Sequence, residues 1–126
     1  MKLLVVDDEA AICEMLKEYF EDSMSCRVLT ATSPSSALLL LEKEQPEGML
    51  LDLNFRSKLN GFDILKKAAA ISPSTKVIMV TSVNDFESVE KAVQLGAVDY
   101  VTKPFTMDYL EDTVRTKIAS LLVFAE

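Results

Sequence analysis

Several apolar runs of this chain end in groups that can do chemistry. Leu3–Val6 is followed by Asp7 and Asp8, and Met49-Leu50-Leu51 runs straight into Asp52. The run from Lys76 closes on Thr81-Ser82, and the one from Val98 leads into Lys103-Pro104. A carboxylate at the end of an apolar run is costly to bury unless it is paired or bound to a metal. Three carboxylates drawn together repel one another, each close pair by about 4 kcal/mol at ~4 Å and an effective dielectric near 20. A divalent cation removes that cost. Magnesium prefers oxygen ligands and keeps several waters, so one or two carboxylates suffice to hold it. Beside such an ion Asp52 can attack a phosphoryl group as a carboxylate nucleophile and form an acyl phosphate. Lys103 and Thr81 can hold the product phosphoryl by hydrogen bonds, the lysine with the help of its charge.

Each of these residues has a plainer use on its own. Asp8 can cap the first helix, and Thr81 can be an ordinary strand-end residue. Lys103 can be a solvated loop lysine, and Tyr100 a packed edge aromatic. Their shared placement at strand ends is what points to one site.

The elements that must position them show in the hydrophobic pattern. Five short apolar runs, Leu3–Val6, Cys26–Ala31, Met49–Leu53, Lys76–Thr81 and Val98–Val101, are each followed by a helical pattern. The first, third and fourth are nearly continuous in apolar residues, as in parallel strands covered on both faces. Ile12, Met15, Leu16, Tyr19 and Phe20 form a one-faced helical stripe. Phe86, Val89 and Val93 repeat it, as do Leu110, Val114, Ile118 and Leu121, and more briefly Phe62, Leu65 and Ala69. Ser33-Pro34 reads as an N-cap with proline at the first helical position. Asn84 with Glu87 resembles a capping box, and Gly96 can end the fourth helix in a left-handed conformation. Leu38–Leu41 is apolar around a whole turn, fitting a helix wedged on the sheet or a docking surface. Five β-α pairs imply an α/β fold: one open, parallel five-stranded sheet with helices on both faces and right-handed crossovers. Ligands of such sheets bind beyond the carboxyl ends of the strands, where strand order reverses.

The composition narrows the function. The chain of 126 residues, 49% apolar, is long enough for one domain, 1–126, with a single good core. The net charge of −7 disfavours direct binding to nucleic acid or anionic membrane. No apolar run has membrane-spanning length and the N-terminus is too soon acidic for a signal peptide, so the expected location is cytoplasmic. Cys13 and Cys26 lack metal-site spacing and read as small buried hydrophobes. The absence of histidine excludes histidine-based triads and histidine-ligated zinc within the chain.

LLVVDDE at 3–9, MLLDLN at 49–54, VIMVTS at 77–82 and DYVTKPF at 99–105 together resemble the receiver domain of two-component response regulators, over essentially the whole chain. The resemblance implies a flavodoxin-like sheet with strand order 2-1-3-4-5. It implies Asp52 as phosphoacceptor, and Asp7, Asp8, Asp52 and the backbone carbonyl of Asn54 as ligands of Mg2+. Thr81 and Tyr100 become the switch positions, and Lys103 the phosphate-pairing lysine, with a cis bond to Pro104. The donor is a phosphohistidine on a sensor histidine kinase or histidine phosphotransfer protein. The output is a shift of the helix 4–strand 5–helix 5 surface, which acts on an output domain or partner and is open to homodimer formation. The resemblance thus implies a signalling domain rather than a turnover enzyme.

The chain departs from the pattern in places. Arg56 stands where relatives carry proline, and Gly61 comes one residue late, so the loop FRSKLNG holds an extra residue. Val83 stands where some relatives have a polar side chain that positions water, which predicts slow self-dephosphorylation. A magnesium-dependent phosphatase of the haloacid dehalogenase type also uses an aspartyl phosphate, but carries a second aspartate two positions after the nucleophile, where this chain has Asn54. A binding module that never takes up phosphate is the other rival, and the complete acidic set argues against it.

Overall fold

The computed structural model describes the chain apart from residues 54, 56–58, 83–85 and 126, and for residues 82 and 122–125 the backbone alone. Five parallel strands form one sheet in the order β2-β1-β3-β4-β5. They are β1 (Lys2–Val6), β2 (Arg27–Ala31), β3 (Gly48–Asp52), β4 (Lys76–Ser82) and β5 (Asp99–Lys103). Helices α1 (Ala10–Met24), α2 (Pro34–Glu44), α3 (Gly61–Ile71) and α4 (Phe86–Gln94) alternate with them. The last helix, α5, joins an α turn at Met107–Tyr109, a π turn at Leu110–Val114 and an α-helix at Arg115–Ala125. Fold class and strand order are those the sequence implies.

Side chains of a strand point alternately to opposite faces, so β1 feeds two cores at once. Leu3 and Val5 pack with Leu50, Ile78, Val101 and the inner faces of α1 and α5. Leu4 and Val6 pack with Met49, Leu51, Met79 and the inner faces of α2 and α3. Each fully buried Leu, Ile or Val contributes roughly 1.5–3 kcal/mol, which is why the stretches Leu3–Val6, Met49–Leu51 and Val77–Val80 at the middle of the sheet carry no polar residue.

The helices follow the predicted pattern in part. Leu110, Val114, Ile118 and Leu121 are all buried. On α1 the buried residues are Cys13, Leu16 and Phe20, while Met15 points outward. On α3 they are Ile64, Leu65 and Ala68, one step round from the predicted stripe. The α4 stripe is inverted: Phe86 is 74% exposed and Val93 is also exposed, and Ala92 is the buried residue. Lys91 holds this helix against α3, with its Nζ 4.4 Å from the centre of the Phe62 ring. On α2, Leu41 is buried, Leu38 and Leu40 pack against the core, and Leu39 is 68% exposed.

The Ser33 hydroxyl accepts from the Ser36 N–H with Pro34 in the first turn, as expected. Gly96 has φ of 110°, the left-handed position expected after α4. A full capping box, Asn60 with Asp63, starts α3. The Asn84–Glu87 box lies outside the described residues. Cys13 and Cys26 are buried and unpaired with each other. Among the described residues no helix is long and apolar enough to cross a membrane.

Candidate functional site

β1 and β3 are neighbours although β2 lies between them in the chain, so strand order reverses between them. In their register Val6 lies opposite Leu51. The next residues, Asp7 and Asp52, are therefore carried side by side onto the rim. Asp7 is 2% exposed and Asp52 4%. Carboxylates this buried need partners.

Asp7 has them on both oxygens. Its Oδ1 accepts from the Glu9 N–H at 2.9 Å, and its Oδ2 accepts from Lys103 Nζ at 2.8 Å. The same ammonium donates to Asp52 Oδ2 at 3.2 Å. Lys103 is the last residue of β5, not a loop residue, and this fixes its reach across β4 and β3. Burial pulls the Lys103 pKa down, but the hydrogen bond that the ammonium donates to Asp7 and the charges of Asp52 and Asp7 outweigh it. Its pKa is raised, so Lys103 stays charged. The Lys103–Pro104 bond is cis, as the resemblance implies.

Asp8 completes the cluster. One oxygen each of Asp7, Asp8 and Asp52 lie within 4.8 Å of one another. Asp8 does not cap α1, whose N-cap is Glu9 with no side-chain cap bond. Opposed ligands of a magnesium ion stand about 4 Å apart, so an all-oxygen set of this spacing fits a hard divalent cation after small carboxylate rotations. Asn54 and Val83 lie outside the described residues.

Thr81 is buried at the end of β4, one residue beyond Val80, which pairs with Asp52. Tyr100 is 37% exposed on β5. Beneath the site, Cys13 donates to the Asp7 carbonyl at 3.4 Å. Burial, and then the Asp7 charge, push this thiol up to about 11.

Sequence reasoning misses the role of Gly61. Its N–H donates to the Leu53 carbonyl at 3.1 Å. A Cβ there would lie 2.6 Å from the Asp52 carbonyl oxygen and 2.7 Å from Leu53 Cα. The start of α3 therefore presses on the strand end that carries Asp52, and only a residue without a side chain fits. The late position of Gly61 in the loop is the one signal that could have drawn attention to it.

A parallel sheet with an acidic triad and a lysine at its strand-order reversal defines a class, and the match to known proteins gives the family. Residues 3–115 match the response regulator receiver domain, and the chain belongs to that family. Members work in two-component signalling with histidine kinases or phosphotransfer proteins. Among named relatives, the chain is 31% identical over 114 residues to sporulation initiation phosphotransferase F of Bacillus subtilis, covering 90% of each. It is 35% identical over 109 residues to the alginate biosynthesis transcriptional regulatory protein AlgB of Pseudomonas aeruginosa, covering 86% of this chain but 24% of that protein. It spans 49% of a probable C4-dicarboxylate response regulator of Priestia megaterium. In structure it is similar to the Vibrio cholerae chemotaxis protein CheY4, with a TM-score of 0.81 and 26% identity over 91% of this chain and 96% of that one. It is also similar to NtrX of Brucella abortus, with a TM-score of 0.85 and 26% identity over 98% of this chain and 28% of that one.

Proposed function

We propose that the chain is a phosphorylation switch in which Asp52 takes a phosphoryl group from a phosphohistidine of a kinase or phosphotransfer protein. The observation that carries this reading is the convergence of Asp7, Asp8 and Asp52 within 4.8 Å, with Lys103 bonded to two of them. The name of the Bacillus relative, a phosphotransferase, supports it.

Asp7, Asp8 and Asp52 would hold Mg2+, and the backbone carbonyl of Asn54 is the further ligand that the family resemblance implies. The bound ion supplies charge neutralisation for the oxygens of the transferring group. An Asp52 carboxylate oxygen attacks phosphorus, and the phosphorus–nitrogen bond of the donor breaks. The imidazole keeps the electron pair and takes up a proton. Lys103 then holds the product phosphoryl with its charge, and the Thr81 hydroxyl turns to donate to it.

The phosphoryl group adds roughly −1.5 to −2 charge. Hydrogen bonds to charged groups contribute about 1.5–3 kcal/mol each, so Thr81 and Lys103 give about 3–6 kcal/mol. Inverting a 1:99 equilibrium takes about 5.5 kcal/mol. The switch is thus driven most of the way, and a partner that prefers the active form completes it. Tyr100 swings inward as Thr81 turns. The readout surface is α4, β5 and α5, where Phe86, Val93, Val98 and Tyr100 are exposed. Exposed apolar clusters of this kind serve partners, and a second copy of the chain is one that fits.

Incubation with magnesium and acetyl phosphate tests the reading. One phosphoryl group per chain is expected, absent in Asp52→Asn and in EDTA. Many turnovers would favour a phosphatase, and no label a binding module.

A further inference from the structure

β5 is an edge strand, and its outward N–H and C=O groups have no strand to pair with. α5 supplies partners instead. The Thr102 N–H donates to Tyr109 Oη at 2.9 Å, and Lys117 Nζ donates to the Tyr100 carbonyl at 2.7 Å. Tyr109 and Lys117 are eight positions apart, which in an unbroken α-helix turns one about 80° from the other. The π turn at Leu110–Val114 lies between them. A π turn accommodates one extra residue, which reduces the offset to about 20°, because the pair then behaves like residues seven apart. The same turn keeps Leu110, Val114 and Ile118, each four residues from the next, on one buried face. The irregular helix thus points a tyrosine and a lysine at the same strand edge.

Lys117 does more there than close an edge. Its ammonium pairs with Asp99 Oδ1 at 3.0 Å and lies 5.0 Å from the centre of the Tyr100 ring. Asp99 Oδ1 in turn accepts the Tyr100 N–H at 2.8 Å. One cation therefore engages the carbonyl of Tyr100, its ring and, through Asp99, its N–H. The backbone contacts can persist whichever way the ring points. The ring contact exists only while Tyr100 faces outward. An interaction made in one of two states is what sets the balance between them.

We propose that Lys117 is a positioning residue that holds Tyr100 outward and sets the resting poise of the switch. The inference rests on the reading of Tyr100 as a switch residue that swings inward on phosphorylation. An exposed cation–aromatic contact corresponds to a roughly two- to five-fold bias in population. Loss of the ammonium therefore raises the inward population of the unphosphorylated protein by about that factor, and quickens its labelling by acetyl phosphate to a similar extent.

The test follows the Tyr100 ring by NMR in protein carrying 13C-labelled tyrosine rings, its signal assigned by Tyr100→Phe. Wild type with and without phosphorylation gives the two reference positions. Lys117→Met without phosphate is expected to move toward the phosphorylated position and to label two- to five-fold faster. Lys117→Arg, which retains a charge that stacks on aromatic rings, is expected to return both readouts toward wild type. A lysine that only braces the edge would leave the labelling rate unchanged and give at most a local shift of the ring signal that does not lead toward the phosphorylated position. If wild type shifts on phosphorylation while Lys117→Met does not move toward the phosphorylated position, the clamp is wrong and the switch reading stands. If phosphorylated wild type shows no shift at Tyr100, the switch reading falls and takes the clamp with it.

Discussion

Removing one carboxylate from the acidic rim should make the metal-free protein more stable, and Asp8→Asn is the cleanest way to do it. Asp7, Asp8 and Asp52 face one ammonium, that of Lys103, which leaves a net charge of −2 (three negative, one positive) in the site. Lys103 bonds to Asp7 and Asp52; among the described residues Asp8 has no ion pair or hydrogen bond. Its oxygen lies within 4.8 Å of both other carboxylates. At that separation a like-charge pair costs about 3.5 kcal/mol at an effective dielectric of 20 and about 1 kcal/mol in bulk water. Asp8 is half-buried, between those limits, and the attraction of Lys103 cancels roughly one of its two repulsions. The net relief in Asp8→Asn is therefore about 1–3 kcal/mol. For a domain of this size that raises Tm by roughly 4–12 °C. The assay is thermal unfolding in EDTA and again with excess magnesium. Wild type, with all three carboxylates, should gain more from the ion than the variant, about 2.7 kcal/mol at a hundredfold excess over its own Kd, so the gap narrows or reverses. Asp8→Asn melting at or below wild type in EDTA, or keeping the full magnesium shift, would refute the reasoning.

Gly61→Ala should destabilise the protein by about 1–3 kcal/mol through overpacking, although alanine is the better helix former by up to about 1 kcal/mol. It should also weaken magnesium binding, because the strand end bearing Asp52 must move; unfolding and metal titration check both. Thr81→Ala should still be phosphorylated at Asp52 but show a smaller phosphorylation-induced change in the α4–β5–α5 surface, read by NMR; complete loss of labelling would contradict this. Stability should fall above pH 9, because the buried Cys13 thiol keeps its proton to about 11 while the unfolded thiol loses it near 9.0. The folded state then binds more protons across that window, so the contribution, present in full below pH 9, is lost by pH 11 and amounts to at most about 3 kcal/mol. Burial raises the Cys26 and Tyr19 groups as well, and Lys103 is also raised, so all act in the same direction. Cys13→Ala should flatten urea midpoints measured in EDTA between pH 9 and 11.

The site was legible because a parallel sheet must bring its strand ends to one rim. Asp7, Asp52 and Lys103 follow from where apolar runs stop, and their meeting needs no knowledge of loops. Asp8 was ambiguous, since an acidic residue just before a helix serves as a cap or as a ligand; only the N-cap at Glu9 decides it. The stripe Phe86–Val89–Val93 announced an amphipathic helix but not which face would be covered. Periodicity is silent on that, and α4 buries Ala92 instead. Gly61 owes its role to a close approach between α3 and the end of β3, groups separated along the chain by a loop whose path no local pattern encodes. The pairing of Tyr109 and Lys117 was hidden because their spacing is out of phase with an α-helix until the π turn is known.

The central claim is that the carboxylate bonded to Lys103 at the end of β3 is where phosphorus attaches. An acyl phosphate can be trapped by borohydride, which converts the phosphorylated aspartate to homoserine. After incubation with magnesium and acetyl phosphate, peptide mapping should find homoserine at position 52 alone, and none when EDTA is present. Conversion at Asp7 or Asp8, or labelling that persists in Asp52→Asn, would contradict the account.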